Sequence, residues 1–243
     1  YLRKSLSRAL DSKVKNYISA RMQNADMITV PSKHFYEKLG GGSKYPEAEI
    51  IPNGVDDDVV SSIKKSRNKE TGKDSRVIVW AGRLVAEKRP ISAVHSVHAA
   101  GAELDMYGEG PLKSELNRMI SQFDSDKIKL KGEVEYGVLL ERMSQAAAVL
   151  LSSIDFETQG MVLCESIVCG TPVVIIDEDI AEDLPKGSYI LAKSHSDSDV
   201  TAAIRMVISN NELLPEVDET MRKAFLQSGL SQQMMNVYKK VLR

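Results

Sequence analysis

Two glutamates on either side of a predicted helix start are the strongest chemical signal in this sequence. Glu157 and Glu165 stand eight positions apart, and Gly160 lies between them. A glycine at a helix N-terminus lets backbone N–H groups point at a phosphate or a sugar hydroxyl. From Gly160 to Glu165 a helix rises roughly 7–8 Å, which is comparable to the separation of a distal phosphate and the ribose in a nucleoside diphosphate. This spacing suits the binding of a nucleotide-sugar.

The neighbours of Glu165 favour a binding role over that of a solvated surface carboxylate. A helix that is apolar almost all round is buried, and a lone buried carboxylate needs a hydrogen-bonding partner. Glu157 lies in the loop before the helix and is expected to meet the sugar beyond the phosphate. The apolar positions around Glu165 are Met161, Val162, Leu163, Cys164, Ile167, Val168 and Cys169.

Three further candidate groups each follow a strand-like segment. Gly82 and Arg83 come after the first of these segments, and Lys88 stands at the next helix start, so both cations could converge on a pyrophosphate. Gly108 and Gly132 follow the next two segments, where glycine permits close backbone approach. Taken singly, these residues are better explained as solvated loop cations and tight turns than as parts of a binding site.

Composition limits the kinds of function that this chain can have. It has 243 residues, 42% hydrophobic and 27% charged, with a formal net charge of −2. This is typical of one large globular domain or a domain and a half, with no general attraction to nucleic acid. No bilayer-spanning run or signal peptide is present, so a cytoplasmic location is expected. Cys164 and Cys169 are predicted to be buried thiols, and the four histidines lack a metal-ligand pattern.

Alternating strands and helices predict an α/β fold with a doubly wound, Rossmann-like parallel sheet. Ligands bind such sheets beyond the carboxyl ends of the strands, which is where the candidate residues fall. The polar segment 61–74 is predicted to be an exposed connection. The predicted strands are 77–80, 104–107, 128–130, 148–151, 172–176 and 189–191. The predicted helices are 33–39, 89–100, 111–123, 136–145, one starting near 160, 200–209 and 216–242.

The first residues have a different pattern from the rest of the chain. Apolar residues recur every four positions from residue 2 to residue 22, which predicts a helix with one apolar and one basic face. A short strand is predicted next, at 25–30, and Ser32 is the predicted N-cap of helix 33–39. The chain has no initiator Met, and residues 1–50 are predicted to be the end of a preceding domain. The basic segment from Arg3 to Arg21 suits an anionic membrane surface and an ordinary solvated helix face equally well.

Taken in order, the motifs resemble those of the C-terminal, donor-binding domain of retaining GT-B glycosyltransferases of family 4. The resemblance covers about residues 50–210. It implies a remnant of the acceptor-side domain at 1–50, a nucleotide-sugar donor domain at 51–230 and a C-terminal helix at 231–243. The motifs are Ile51–Asp56, Ala81–Leu84 with Lys88, Tyr107–Pro111, Leu130–Gly132, and Glu157–Glu165 with Cys169–Pro172.

The resemblance also implies a role for each site residue. Arg83 and Lys88 would bind the donor diphosphate, Glu165 the ribose and Glu157 the donor sugar. The loops at Gly82 and Gly108 would approach the donor. Backbone at Gly160, Met161 and Val162 would face sugar and phosphate, and the loop from Gly132 to Val134 would face the base. The expected donor is UDP-linked, and neither a protein nucleophile nor a tightly bound metal or cofactor is implied.

One departure from the common family pattern bears on the acceptor. Gln159 stands before the glycine, where many members have an aromatic or small residue, and Glu-Thr-Gln-Gly is similar to bacterial diacylglycerol α-glucosyltransferases. This implies a lipid or glycan acceptor bound by the preceding domain, and work in the cytoplasm or peripherally at the inner membrane face. A GT-B nucleotide-sugar epimerase and a non-catalytic nucleotide-sugar-binding module remain as alternatives.

Overall fold

The structure is a computed structural model that describes residues 17, 19–41, 48–66, 76–123, 126–155, 157–209 and 216–242. Most of the predicted N-terminal helix, its basic segment and the polar segment 67–74 lie outside these residues. Where the predicted helix is described, at 17 and 19–23, the backbone is helical.

A small unit precedes the main sheet. Strands β1 (Ile28–Val30) and β2 (Ala48–Ile50) pair in parallel, and helix α1 (Lys33–Leu39) lies between them in sequence. Ser32 caps α1 by accepting a hydrogen bond from the backbone N–H of Phe35 at 3.0 Å, as the sequence predicted. Gly40 ends the helix in a left-handed conformation, with φ of 111°.

Helix α2 (Asp57–Ser66) follows, in a region where the sequence predicted an exposed connection from residue 61 onward. That prediction was wrong as far as residue 66. Val60 and Ile63, one turn apart, are buried in the core of the main domain. Two buried residues in a polar stretch are enough to hold a short helix when tertiary packing covers them.

The main domain is built on a six-stranded parallel sheet, which confirms the predicted doubly wound fold. The strand order is β5-β4-β3-β6-β7-β8. Because the chain winds one way from β3 and the other way from β6, the switch point of the sheet lies between these two strands. The strands are β3 (Val77–Ala81), β4 (Glu103–Tyr107), β5 (Ile128–Gly132), β6 (Ala148–Leu151), β7 (Val173–Ile175) and β8 (Tyr189–Leu191).

Helices cover both faces of the sheet. One buried cluster includes residues of α3, α4 and α8, and the other includes residues of α2, α5 and α6. The helices are α3 (Pro90–Ala100), α4 (Lys113–Ile120), α5 (Tyr136–Gln145), α6 (Met161–Cys169), α7 (Glu178–Ala181), α8 (Asp197–Ser209), α9 (Glu219–Lys223) and α10 (Gln227–Val241).

Two details of the helices differ from prediction. The predicted closing segment 216–242 is two helices, because the chain between them bends so that Phe225 is buried and Val55 bridges to Leu226. The short helix α7 was not predicted. It contains two buried residues, Ile180 and Ala181, within an acidic sequence.

The two cysteines are buried as predicted, and one histidine packs on an aromatic ring. Cys164 and Cys169 are free, buried thiols. His98 stacks on Phe123 with ring centroids 3.9 Å apart, so it packs on the surface. Within the described ranges, no group of three or more histidine, cysteine or acidic residues could hold a metal. The helices that the structure describes are all too short or too polar to cross a bilayer.

Candidate functional site

The predicted site residues gather beyond the carboxyl ends of β3 and β6, on either side of the switch point. The segment after β3 carries Gly82, Arg83 and the 3₁₀ turn Ala86–Lys88. The segment after β6 runs from Ser152 to Gly160 and leads into α6. This crevice is where doubly wound sheets bind their ligands.

Lys88 and Glu157 form an ion pair across this crevice. The Lys88 ammonium donates to Glu157 Oε1, and the Ser153 hydroxyl donates to the same oxygen at 2.6 Å. The side chains of Lys88 and Glu157 are only 23% and 10% exposed. A partly buried cation and carboxylate therefore neutralise each other, and an anionic ligand that enters would compete with Glu157 for Lys88.

A buried serine fixes the turn that carries Lys88. Ser152 is 2% exposed, and its hydroxyl donates to the Lys88 carbonyl at 2.7 Å. The same hydroxyl accepts from the indole N–H of Trp80 at 2.9 Å. Sequence reasoning missed Ser152 and Ser153. The signal available was a pair of hydroxyls directly after the buried strand β6.

Arg83 lies apart from the Lys88–Glu157 pair. Its side chain is 74% exposed and approaches Glu87 at 3.9 Å, one turn along the chain. The structure therefore places both predicted cations on the same segment but pairs only Lys88 with Glu157. An exposed guanidinium is free to swing toward a ligand phosphate, at the cost of a weak surface ion pair.

The glycines after β3, β4 and β5 interlock. Gly108 donates its N–H to the Gly132 carbonyl at 2.8 Å, and Gly82 donates to the Tyr107 carbonyl at 3.0 Å. A Cβ on Gly108 would stand 2.0 Å from the Gly82 carbonyl oxygen, and its φ is 124°. Only glycine fits there. The three loops are thus packed together through backbone contacts, and Val134 in the third loop is exposed beside them.

Helix α6 begins beside Glu157. Gly160 is its N-cap, with φ of 74°, and no side chain caps this end. Its first turn carries no acidic residue, and Met161 and Val162 are partly exposed there. The N–H groups and the dipole of such an end attract negative charge.

Glu165 lies one turn further along α6 and is 8% exposed. Burial raises the pKa of its carboxyl, and a hydrogen bond from the Tyr136 hydroxyl works in the opposite direction. This bond supplies the partner that the sequence required of a buried carboxylate. The same contact, together with burial, raises the pKa of Tyr136. Tyr136 begins α5, so two elements hold Glu165 at the cleft.

Gln159 is buried, and its side chain bonds to Asn53. Its Oε1 accepts from the Asn53 backbone N–H at 2.7 Å and from Asn53 Nδ2 at 2.8 Å. Its Nε2 donates to the Asn53 carbonyl at 3.0 Å. The residue that departs from the common family pattern therefore ties the loop of Glu157 to the segment between β2 and α2.

Helix α1 also touches the loop of Glu157, a contact that sequence reasoning did not predict. His34 Nε2 lies 3.2 Å from the Glu157 carbonyl oxygen, and the Ser32 hydroxyl donates to the Thr158 carbonyl at 2.5 Å. His34 is separated from Glu157 by 123 positions. A tertiary contact at that separation leaves no local signal in a sequence.

The crevice as a whole offers a cation, a carboxylate and an uncapped helix N-terminus within one loop and its neighbours. Such a set can bind a diphosphate at the cation and the helix N-terminus and hold hydroxyls on the carboxylate. Cations at the diphosphate would also stabilise negative charge that develops on it as a bond to it breaks.

The sequence that forms this crevice lies within a segment that matches a known protein family. The family described as "Glycosyl transferases group 1" matches residues 62–224, which is most of the chain. This chain belongs to that family.

Two curated relatives are members of the glycosyltransferase class. The chain is 28% identical over 141 residues to a GDP-mannose-dependent alpha-(1-6)-phosphatidylinositol dimannoside mannosyltransferase of Mycobacterium tuberculosis, covering 56% of this chain and 36% of the relative. It is 25% identical over 128 residues to a poly(ribitol-phosphate) alpha-N-acetylglucosaminyltransferase of Staphylococcus aureus, covering 50% and 25%. The matched segments thus span about a third or less of these relatives.

Solved glycosyltransferase structures share the GT-B fold. TarM of S. aureus, crystallised with UDP, superposes with a TM-score of 0.71 at 18% identity, over 93% of this chain and 46% of TarM. The pneumococcal O-GlcNAc transferase GtfA, crystallised with UDP and GlcNAc, gives 0.67 at 23% identity, over 94% and 48%. Sucrose-phosphate synthase of Thermosynechococcus elongatus gives 0.75 at 17% identity, over 95% and 62%.

Proposed function

We propose that this chain is the donor-binding part of a retaining family 4 glycosyltransferase that moves a sugar from a nucleoside-diphosphate sugar to a lipid or glycan acceptor. One observation carries the proposal. Lys88, Glu157 and the uncapped start of α6 meet beyond the carboxyl ends of β3 and β6, the strands that flank the switch point.

Each residue has a definite role in this proposal. Lys88 leaves Glu157 for the donor diphosphate, and Arg83 swings in from solvent to bind the same group. Glu157, released from Lys88, accepts hydrogen bonds from the sugar hydroxyls. Glu165 accepts from the ribose. As the bond between sugar and diphosphate breaks, the two cations stabilise the charge on the leaving group.

The backbone completes the proposed donor site. N–H groups at Gly160, Met161 and Val162 face the distal phosphate and the sugar. The loop from Gly132 to Val134 contacts the base. The interlocked loops at Gly82 and Gly108 let the donor approach the backbone closely. No metal or tightly bound cofactor takes part in this scheme.

UDP is the proposed nucleotide, and the relatives justify testing more than one base. The mycobacterial relative is named for GDP-mannose, whereas TarM and GtfA were crystallised with UDP. The proposed acceptor, a lipid or glycan, is bound by a preceding domain. Sugar transfer then takes place in the cytoplasm or at the inner membrane face. The resemblance to diacylglycerol α-glucosyltransferases favours a lipid.

Calorimetric titration with UDP, GDP and ADP tests the donor site. Saturable binding of one nucleotide, weakened at least about tenfold by Arg83→Ala and by Glu165→Ala, is the expected result. Arg118→Ala, an exposed arginine on α4, is the matched control and should bind like the wild type. Binding that survives both site substitutions would contradict the assigned site. If this chain does not bind, the same titration on the full-length protein decides.

Measurements of catalytic turnover distinguish a glycosyltransferase from an epimerase and from a non-catalytic binding module. In the full-length protein, Glu157→Gln should lower kcat for sugar transfer about a hundredfold and leave a measurable residual rate. The anomeric configuration of the wild-type product, determined by NMR, should match that of the donor. Conversion of one nucleotide-sugar into another without an acceptor would favour the epimerase. Binding without any turnover would favour a non-catalytic module.

A further inference from the structure

Helix α1 and its N-cap Ser32 contact the loop that carries Glu157 at residues 155, 157 and 158. The Ser32 side chain and two side chains of α1 donate to three carbonyl oxygens of that loop. The pairs are Ser32 Oγ with Thr158 at 2.5 Å, His34 Nε2 with Glu157 at 3.2 Å, and Lys38 Nζ with Asp155 at 3.2 Å. The segment 32–38 therefore runs antiparallel to the loop, because higher residue numbers in the segment pair with lower numbers in the loop.

The main domain holds α1 in place from a second side. The Asp183 carboxylate accepts the backbone N–H of Lys33 at 2.9 Å and that of His34 at 3.0 Å. Asp179 lies 3.9 Å from His34 Nδ1. Backbone contacts of this kind leave α1 little freedom to rotate, so its side chains meet the loop in one arrangement.

His34 and Ser32 are the two buried members of the three contacts. His34 is 5% exposed. A carbonyl oxygen can only accept, so Nε2 carries the hydrogen in the contact with Glu157. The Glu157 main chain is thus held by His34 while its carboxylate is held by Lys88 and Ser153.

The loop needs such outside support. Asp155 has a left-handed backbone with φ of 62°, a conformation that costs a non-glycine residue free energy. Its carbonyl is one of the three that α1 contacts. The main domain also holds this residue, because the Asp177 carboxylate accepts the Asp155 N–H at 2.9 Å. Without the contacts from α1 we expect the loop to gain accessible arrangements, so that Glu157 points at the donor sugar in fewer of them.

We propose that His34 is a positioning residue, which holds the main chain of Glu157 so that its carboxylate meets the donor sugar. His34 does not touch the donor. The proposal rests on the proposed function, in which Glu157 binds that sugar. It makes α1, which precedes the donor domain in the chain, part of the machinery of the donor site.

Hydrogen exchange tests the contact on this chain without any ligand. His34→Phe keeps a ring of similar volume and removes the donor, so amides of 153–160 should exchange at least about fivefold faster. His34→Gln places an amide N–H where Nε2 stood and should restore slow exchange, whereas the shorter His34→Asn should not. His98→Phe, on the surface of α3, is the matched control. Unchanged exchange in His34→Phe would overturn the proposal.

A double-mutant cycle in the full-length protein tests the consequence for transfer. His34→Phe should lower kcat at least tenfold and change the KM for the donor much less. His34→Gln should restore most of the wild-type kcat. In a Glu157→Gln background the same substitution should have no further effect, because His34 acts through Glu157. Additive effects, or a change confined to KM, would overturn the positioning role.

Failure of the proposed function and failure of the positioning role would give different results. A wild-type protein that turns over no nucleotide-sugar would overturn the proposed function and the positioning role together, even if exchange showed that His34 holds the loop. A wild type that transfers sugar, with additive kcat effects in the cycle, would leave the proposed function standing and overturn the positioning role alone.

Discussion

At the level of single residues, the ion pair between Lys88 and Glu157 has a measurable consequence. In the unliganded chain the Glu157 carboxylate neutralises the cation that is proposed to bind the diphosphate. Glu157→Gln should therefore strengthen UDP binding about three- to tenfold, roughly 1 kcal/mol for a partly buried pair. Calorimetry measures this, and sugar transfer by the same variant should be slowed about a hundredfold. Glu115→Gln, an exposed glutamate on α4, should change neither. Weaker UDP binding in Glu157→Gln would show that Lys88 does not meet the phosphate.

The Glu165 carboxylate should lower the stability of the folded protein at neutral pH, although it is proposed to bind the nucleotide. Burial raises the pKa of this carboxyl, so the folded protein holds its proton more tightly than the unfolded chain does. Stability therefore falls as the pH rises from the ordinary carboxyl value of 4.5 through the raised one. Glu165→Gln should therefore stabilise the protein at pH 7 and raise its Tm, while nucleotide binding is lost.

Thermal unfolding between pH 4 and pH 8 checks this prediction. The advantage of Glu165→Gln should vanish at the acidic end of the range and grow toward neutral pH. Glu115→Gln is the control, since an exposed carboxyl gives no such trend. A variant that is less stable than the wild type at pH 7 would mean that the bond from Tyr136 outweighs the cost of burial.

At the level of elements, the interlocked glycine loops predict a sharp difference between two glycines. Gly108→Ala would place a Cβ 2.0 Å from the Gly82 carbonyl oxygen, so the loops after β3 and β4 must separate. We expect a loss of roughly 3–5 kcal/mol in the free energy of unfolding. Gly101→Ala has a similarly positive φ of 74° but nothing within 4 Å, and should lose only about 1 kcal/mol.

Urea unfolding monitored by the fluorescence of Trp80, the single tryptophan, measures both variants. Equal losses for Gly108→Ala and Gly101→Ala would mean that backbone conformation, and not the approach of the two loops, decides the cost. In that case the loops would not be packed as tightly as the backbone contacts indicate.

The elements that could be predicted from the sequence are those with a local signal. Buried strands are continuous apolar runs, and α1 has its N-cap at Ser32 and its glycine stop at Gly40, so their bounds were predicted closely. Helix α2 could not be predicted, because Val60 and Ile63 become a buried face only when the main domain packs on them. Likewise, the types of Lys88 and Glu157 suggested their roles, but their pairing across 69 positions is a product of the fold.

At the level of the whole molecule, the small N-terminal unit and the main domain have separate buried cores. Ile28 and Val30 form a cluster of their own, whereas both large clusters lie within residues 55–225. Links between the units include hydrogen bonds and ion pairs, such as those of α1 with the loop of Glu157 and the ion pair of Glu49 with Lys240. The main domain should therefore fold without the first unit, although its donor loop should not be held in place.

Deletion of residues 1–50 tests this division. The shortened protein should unfold in a single cooperative transition with near-native far-UV circular dichroism, since a complete sheet with helices on both faces remains. Amides of 153–160 should exchange at least as fast as in His34→Phe, because every contact from α1 is removed together. A shortened protein that unfolds without cooperativity would show that the small unit is part of the folding core. Cooperative unfolding with slow exchange at 153–160 would show that the loop is held by the main domain alone, through Lys88 and Ser153 on its inner side.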